Sequence, residues 1–258
     1  MSLSVALTNP QILATSYQVR GLVYSAAQAR AATGKTVIFT TVGNPHGLGQ
    51  QPLTFLRQVL SMVTHPALID SCDFPEDAKG RAREYLQHLT SVGAYTDSRG
   101  SPFVRQQVAD WLNRRDNLAA SPENIFLTDG ASAAVRLSLA MLIRGKGFSD
   151  GILVPIPQYP LYSASITLLG GALIPYNLNE SDSWGLQCAS ITAAISAARA
   201  NGVTVRGLVF INPGNPTGQQ LSQTQILEMI KICHAEKVTL LADEVYQVRY
   251  SANRDRRE

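Results

Sequence analysis

The pattern of apolar and polar positions changes near residue 121 of the chain. Before that point, stretches of helical periodicity begin at or just after a proline, and the first two end at Gly34 and at His65-Pro66, which is typical of helices. They predict helices over 11–33, 53–63, 75–89 and 102–116, with a short strand or extended arm at 37–42.

After residue 121, short apolar runs alternate with helical stretches. Near-continuous apolar strands separated by helices favour a mostly parallel sheet that is covered by helices on both faces. The predicted fold class is therefore an α/β sandwich. The predicted strands are 125–128, 151–156, 172–178, 205–212 and 238–243, and the predicted helices between them are 131–144, 160–169, 187–201 and 222–236.

Composition narrows the possible classes of protein. Hydrophobic residues make up 45% of the 258 positions and charged residues 16%, which is typical of a globular enzyme. The net charge is only +3, and the basic residues are scattered, so we expect no nucleic-acid partner. The three cysteines and four histidines show no metal-ligand spacing, so we expect no metal. No secretory signal and no membrane-length apolar stretch is visible, so a soluble cytoplasmic protein without membrane contact is the expectation.

Two of the predicted strands end in segments that suit a flat, phosphorylated ligand. In open α/β sheets a ligand lies beyond the carboxyl ends of the strands. Strand 125–128 ends in Asp129-Gly130-Ala131-Ser132, where small residues at a helix start let a phosphate approach backbone amides. A simple capped turn explains this segment equally well. Strand 151–156 leads to Tyr159 between two prolines, either a packing residue or a ring that stacks on a planar ligand.

Two further strands end in polar residues. Strand 205–212 leads into NPGNPTG, whose turn formers present the amide of Asn215 toward the same edge. Strand 238–243 ends in Asp243, whose carboxylate is costly at the end of an apolar strand unless a cation meets it. Asp243 either caps the next helix or pairs with a protonated ring nitrogen, as a pyridoxal phosphate (PLP) site requires.

Six segments together resemble the alanine aminotransferase family, which is of PLP-dependent fold type I. They are VGNPHGLGQQPLTFLRQV, SVGAYTDSRGSPFVR, IFLTDGASAAV, PIPQYPLYSA, NPGNPTG and LADEVYQ, in this order, and the likeness as a whole runs from about residue 9 to residue 247. The resemblance implies an N-terminal arm with part of a small domain at 1–74 and a truncated PLP-binding large domain at 75–247. Residues 248–258 are expected to form a disordered or aberrant tail.

The resemblance assigns four residues to the cofactor ring. Asp243 would bind the pyridinium nitrogen, Asn215 and Tyr246 would hydrogen-bond the phenolic oxygen, and Tyr159 would stack on the ring. For the family, the reaction moves an amino group from L-alanine to 2-oxoglutarate.

The resemblance also assigns residues to the phosphate, the substrate and a dimer. Gly130, Ala131 and Ser132 would hold the phosphate, and Tyr95 would reach the phosphate of the partner in a homodimer. Gly43 would lie near the substrate carboxylate.

The chain departs from the family in its lysines. The five lysines all precede Asp243, whereas the family's Schiff-base lysine follows it, so no catalytic residue is assigned. Because that lysine forms the covalent link and moves the proton, we expect this chain to be inactive as it stands. The alternatives are a lysine-less PLP-binding pseudoenzyme and an aromatic or glyoxylate aminotransferase of the same fold.

Overall fold

The computed structural model describes residues 5, 8–18, 20–40, 43–89 and 92–247. The chain divides into two compact units, one of residues 27–128 and one of residues 1–26 together with 129–258. The predicted boundary at residue 74 falls inside the first unit, and the predicted tail lies outside the described residues. The division into arm, large domain and tail stays a prediction.

Ten α-helices and four strands are found in the described residues. The helices are α1 (Pro10–Ala14), α2 (Leu22–Ala32), α3 (Thr54–Thr64), α4 (Leu68–Ser71), α5 (Glu76–His88), α6 (Pro102–Asp116), α7 (Gly130–Leu142), α8 (Leu161–Leu168), α9 (Cys188–Ala200) and α10 (Gln223–Glu236). The strands are β1 (Asp150–Ile156), β2 (Ala172–Asn177), β3 (Thr204–Ile211) and β4 (Thr239–Asp243). None of the helices in the described part of the chain is long and apolar enough to cross a bilayer.

The four strands form one sheet in the order β2-β1-β3-β4, and every neighbouring pair is parallel. Alternate side chains of β1 and β3 point to opposite faces, which gives the sheet two cores. On one face Leu153 and Phe210 pack with α9 and α10, and on the other Ile152 and Val209 pack with α7 and α8. The predicted α/β sandwich is confirmed. Because the strands are parallel, their carboxyl ends meet at one edge of the sheet.

The unit of residues 27–128 has its own small core, in which α3 and α4 pack against α5.

The same unit also contains a buried arginine. Arg105 on α6 is 2% exposed and donates to the backbone oxygens of Gly100 at 3.0 Å and Pro122 at 2.7 Å. Asp97 and Glu123 lie 3.8 and 3.6 Å from its guanidinium and balance its charge. This arginine therefore ties the start of α6 to the segment that precedes residue 125.

Two predicted elements are wrong. Residues 125–128 form no strand: Phe126 is 66% exposed, and the amide of Leu127 donates to the backbone oxygen of Arg99 at 2.8 Å. An apolar run with extended dihedrals becomes a strand only beside another strand, and none pairs with it in the described residues. The predicted helix 11–33 is broken into α1 and α2, with an extended segment from Thr15 between them. Residues 35–40 lack regular structure, and 41–42 lie outside the described residues.

Candidate functional site

The loop after β3 is held by its own backbone and by Asn212. The amide of Gly214 donates to Gln219 O at 2.9 Å, and the amide of Leu221 donates to Asn212 Oδ1 at 3.1 Å. Gly218 closes the turn with φ +73°, in the left-handed region that glycine tolerates. The side chain of Asn215 takes no part in these bonds. Instead its Nδ2 donates to Tyr246 Oη at 3.3 Å, which brings two of the predicted cofactor residues together.

Tyr159 lies at the end of the loop that follows β1. Its ring packs against the core beneath α7 and α8, so the packing interpretation of this residue holds at least in part. Its hydroxyl lies 3.0 Å from the hydroxyl of Tyr17, which belongs to the extended segment after α1. This hydrogen bond and burial raise the pKa of Tyr159, and Tyr246 adds to the shift through its charge. Tyr159, Tyr246 and Asn215 therefore lie at one part of the sheet edge.

The carboxylate of Asp243 is held from two sides. Oδ1 accepts the backbone N–H of Val245 at 3.2 Å, and Oδ2 accepts the hydroxyl of Tyr162 at 2.5 Å. The first bond is a local contact with the backbone two residues on, and no helix that Asp243 could cap is found directly after β4 in the described residues. The second comes from α8, 81 positions away in the chain. Burial, with the neighbouring Asp243 carboxylate, raises the pKa of Tyr162 far above its usual range, so the phenol stays protonated and donates.

The turn that opens α7 borders a cavity beside β4. Gly130 has φ +74°, and Asp129, at the N-cap position, makes no side-chain capping bond to α7 within the described structure. The explanation of this segment as a turn in which the Asp129 side chain caps α7 is therefore not supported. Ala131 lines a cavity of about 230 Å³ together with Tyr162, Asp243 and Val245. Gly130 and Ser132 flank Ala131 and are exposed.

The other two predicted site residues belong to the unit of residues 27–128. Tyr95 is fully exposed, and Gly43 has no atom within 4 Å of the position that a Cβ would take. Their assignments to a partner's phosphate and to the substrate carboxylate stay predictions.

Sequence reasoning missed Tyr162 and Tyr17. Tyr162 lies only three positions after Tyr159, a predicted site residue, and this proximity is the signal that could have identified it. A buried tyrosine hydroxyl needs a polar partner, and the nearby strand end at Asp243 offers one. Tyr17 had no local signal, because its partner is 142 positions away.

A model of the family described as "Aminotransferase class I and II" matches residues 69–256. The chain belongs to the class I and II aminotransferase family. The matched range reaches into residues 248–256, which belong to the segment predicted to be a disordered or aberrant tail. In the described residues, no cluster of three or more metal-ligating side chains occurs.

The relatives of the chain are aminotransferases of two kinds. Glutamate–glyoxylate aminotransferase 1 of Arabidopsis thaliana is 54% identical over 245 residues, which are 93% of this chain and 50% of that protein. Mitochondrial alanine aminotransferase 1 of the same plant is 43% identical over 254 residues, which are 93% of this chain and 46% of that protein. The chain thus spans about half the length of the curated relatives it matches.

Solved structures of the family share the fold. An alanine aminotransferase from Pyrococcus furiosus superposes with a TM-score of 0.70 at 21% identity, over 93% of this chain and 52% of that one. An aminotransferase from Escherichia coli gives a TM-score of 0.67 at 25% identity, over 92% of this chain and 50% of that one. The fold is that of the type I aminotransferases, which are PLP-dependent.

The residues at the sheet edge fit PLP. The 230 Å³ cavity is lined by two acidic residues, Asp243 and Glu244, and, among the described residues, by no lysine, arginine or histidine, so a protonated ring nitrogen would find a hydrogen-bond acceptor there. Oε1 of Gln158, next to Tyr159, is buried with no hydrogen-bond partner in the described structure. An unpaired buried acceptor is unfavourable by about 1–3 kcal/mol, so a ligand donor reaching it would stabilise the segment.

Proposed function

We propose that the chain carries the ring-binding half of a PLP-dependent aminotransferase that moves an amino group between a small amino acid and a 2-oxo acid. The observation that carries this proposal is the carboxylate of Asp243, which is fixed by Tyr162 and by the Val245 amide on the wall of a cavity without a cationic side chain among its described lining residues.

Each residue at the edge would meet a different part of PLP. Asp243 would hold the protonated ring nitrogen, and the Asn215–Tyr246 pair would donate to the phenolic oxygen. Tyr159 would stack on the ring, and the α7 turn of Gly130, Ala131 and Ser132 would receive the phosphate, because backbone amides at a helix start favour an anion. When bound, the cofactor supplies an electron sink for the carbon that loses its proton.

The chain as it stands is proposed to bind the cofactor without turning over substrate. In the described structure, no lysine lines the cavity at Asp243 or the smaller one beside Asn215. Transamination needs an amine that forms a covalent link and then moves a proton. A lysine-less binding protein would have the same site, and assay of the protein encoded by the full gene separates the two cases.

Two substrate pairs are candidates for this protein. L-Alanine with 2-oxoglutarate is the pair implied by the resemblance to the alanine aminotransferases. The higher identity to a glutamate–glyoxylate aminotransferase, 54% against 43%, favours glutamate with glyoxylate. Homodimerisation and a cytoplasmic location are further predictions, whereas alanine aminotransferase 1 of Arabidopsis thaliana is named as a mitochondrial protein.

The cofactor proposal is tested by calorimetric titration of the 258-residue chain with pyridoxamine 5′-phosphate, the amine form that needs no covalent link. Pyridoxamine without the phosphate is the matched control. We expect the phosphorylated compound to bind at least about tenfold more tightly, a difference of about 1.4 kcal/mol. Equal affinities, or no binding of either compound, would contradict the proposal.

The substrate pair is tested on the protein encoded by the full gene. Rates with glutamate plus glyoxylate are compared with rates for alanine plus 2-oxoglutarate at equal concentrations. A higher kcat/KM for the first pair is the expected result, and the reverse order would restore the alanine–2-oxoglutarate assignment.

A further inference from the structure

A buried hydroxyl group next to the proposed ring site donates a hydrogen bond to an acidic side chain. Tyr162 is 2% exposed on α8, and its ring belongs to the apolar core formed by α7, α8 and the sheet. Phenylalanine would fill the same space without a polar atom to bury. The hydroxyl therefore needs its hydrogen bond, and that bond goes to Asp243 Oδ2 at 2.5 Å.

The geometry of this bond is that of a donor facing a charged acceptor. An O–H group that donates to a carboxylate forms a bond of about 2.5–2.7 Å, shorter than one between neutral groups. The phenol stays protonated because burial and the adjacent carboxylate both oppose its ionisation. Tyr162 is therefore the donor of this bond and Asp243 the acceptor.

The two hydrogen bonds to Asp243 also fix its direction. Tyr162 holds Oδ2 from α8, and the Val245 amide holds Oδ1 from the following turn. A carboxylate with both oxygens engaged cannot rotate freely, and both Asp243 and Tyr162 border the cavity that Ala131 lines. Helix α8 begins one residue after Pro160, so the loop that places Tyr159 also places Tyr162.

We propose that Tyr162 is a positioning residue which orients the carboxyl group of Asp243 toward the protonated ring nitrogen of the cofactor. This inference rests on the proposed function of the site. Tyr162 acts through Asp243, whose Oδ2 accepts its hydroxyl. The loop after β1 would then contribute to ring binding in two ways. Tyr159 would stack on the face of the ring, and Tyr162 would hold the Asp243 side chain that binds the ring nitrogen.

The substitution that tests it is Tyr162→Phe, which removes one oxygen from a core position. The matched control is Tyr176→Phe, because Tyr176 is equally buried at 2% and its hydroxyl donates at 2.8 Å to the backbone oxygen of Val209 in the core. Affinity for pyridoxamine 5′-phosphate is measured by calorimetry for both variants. We expect Tyr162→Phe to weaken binding about tenfold, or about 1.4 kcal/mol, and Tyr176→Phe to leave it unchanged.

A second ligand shows whether the effect passes through the ring nitrogen. In 1-deazapyridoxamine 5′-phosphate a carbon replaces that nitrogen, so Asp243 cannot form a hydrogen bond with the ring at this position. Tyr162→Phe should leave the affinity for this analogue unchanged. In a double-mutant cycle with Asp243→Asn, the losses for pyridoxamine 5′-phosphate should be less than additive, because both substitutions break the same contact.

The outcomes separate this inference from the proposed function. If the unsubstituted chain does not bind pyridoxamine 5′-phosphate, both are wrong. If it binds and Tyr162→Phe binds equally well, or if the two substitutions are additive, only the positioning role is wrong. Should Tyr162→Phe unfold, the Asp243→Ala variant, which removes the acceptor, decides: the downfield proton resonance of the Tyr162 hydroxyl in the unsubstituted chain must be lost in that variant, and its persistence would refute the bond.

Discussion

The phenolic oxygens of Tyr17 and Tyr159 lie 3.0 Å apart, although the two residues are 142 positions apart in the sequence. Tyr17 follows α1 in the N-terminal segment, and Tyr159 follows β1 at the edge of the sheet. The contact anchors the N-terminal segment at the proposed ring site, and it is the largest cause of the raised pKa of Tyr159.

Removing the hydroxyl of Tyr17 should change the titration of Tyr159. In Tyr17→Phe we expect the pKa of Tyr159 to fall toward its usual range, because the hydrogen bond that favours its neutral form is lost. Ultraviolet titration of the tyrosines measures this, with Tyr159→Phe to assign the signal. Tyr24→Phe, in the following helix, is the control, and an unchanged curve for Tyr159 in Tyr17→Phe would contradict the expectation.

The two asparagines of the loop after β3 should behave differently when each is replaced by alanine. Asn215→Ala should weaken binding of pyridoxamine 5′-phosphate about tenfold while folding is unaffected, because its amide donates toward the site. Asn212→Ala should lower the free energy of unfolding by about 1 kcal/mol, because the Leu221 amide loses its acceptor. Chemical denaturation and calorimetry on both variants measure these effects, and a reversed pattern would exchange the two roles.

Acid should destabilise the chain through Asp150, at the start of β1. This carboxyl is 1% exposed, and hydrogen bonds from Arg144 lower its pKa to about 2. Because the folded-state pKa lies below the unfolded value of about 4, its stabilisation is present above pH 4 and is lost between about pH 4 and pH 2. Asp150→Asn should lower the free energy of unfolding by about 2 kcal/mol at pH 7. In this variant the free energy of unfolding should also change less between about pH 4 and pH 2.

The control for Asp150 is Asp116→Asn, which breaks an exposed pair with Arg115. It should change stability less at pH 7. Urea denaturation at several pH values measures both, and an acid dependence in Asp150→Asn equal to that of the unsubstituted chain would rule out this role for Asp150.

Substituting alanine for each of two glycines in the unit of residues 27–128 should change the stability in opposite directions. Gly80 lies inside α5, and a Cβ there meets nothing within 4 Å, so Gly80→Ala should stabilise by up to about 1 kcal/mol. Gly100 has φ +96°, and its Cβ would lie 2.6 Å from the Leu127 side chain, so Gly100→Ala should destabilise by more than about 1 kcal/mol. Thermal melts followed by circular dichroism test the pair, and a stabilised Gly100→Ala variant would refute the argument.

The sequence by itself predicted the four paired strands within a few residues, because each is an apolar run between helical stretches and that periodicity is local. It also predicted that Asn215 and Asp243 follow strands of one parallel sheet, which brings their side chains to a common edge. The helix starting at Pro102 was predicted correctly as well, because proline in the first turn is a signal of the residue itself.

Tertiary structure alone decided the features that need a distant partner. Residues 125–128 have the composition of a strand, but pairing depends on a neighbouring strand that their own residues cannot supply. Tyr162 is a core residue that also acts as a hydrogen-bond donor, because Asp243 lies close to it in the fold although it is 81 positions later in the chain. Likewise, Tyr17 lies outside the helices, and its hydroxyl meets that of the distant Tyr159. Local periodicity reports which face a residue buries, whereas the identity of its hydrogen-bond partner is fixed only when the chain has folded and the two groups meet.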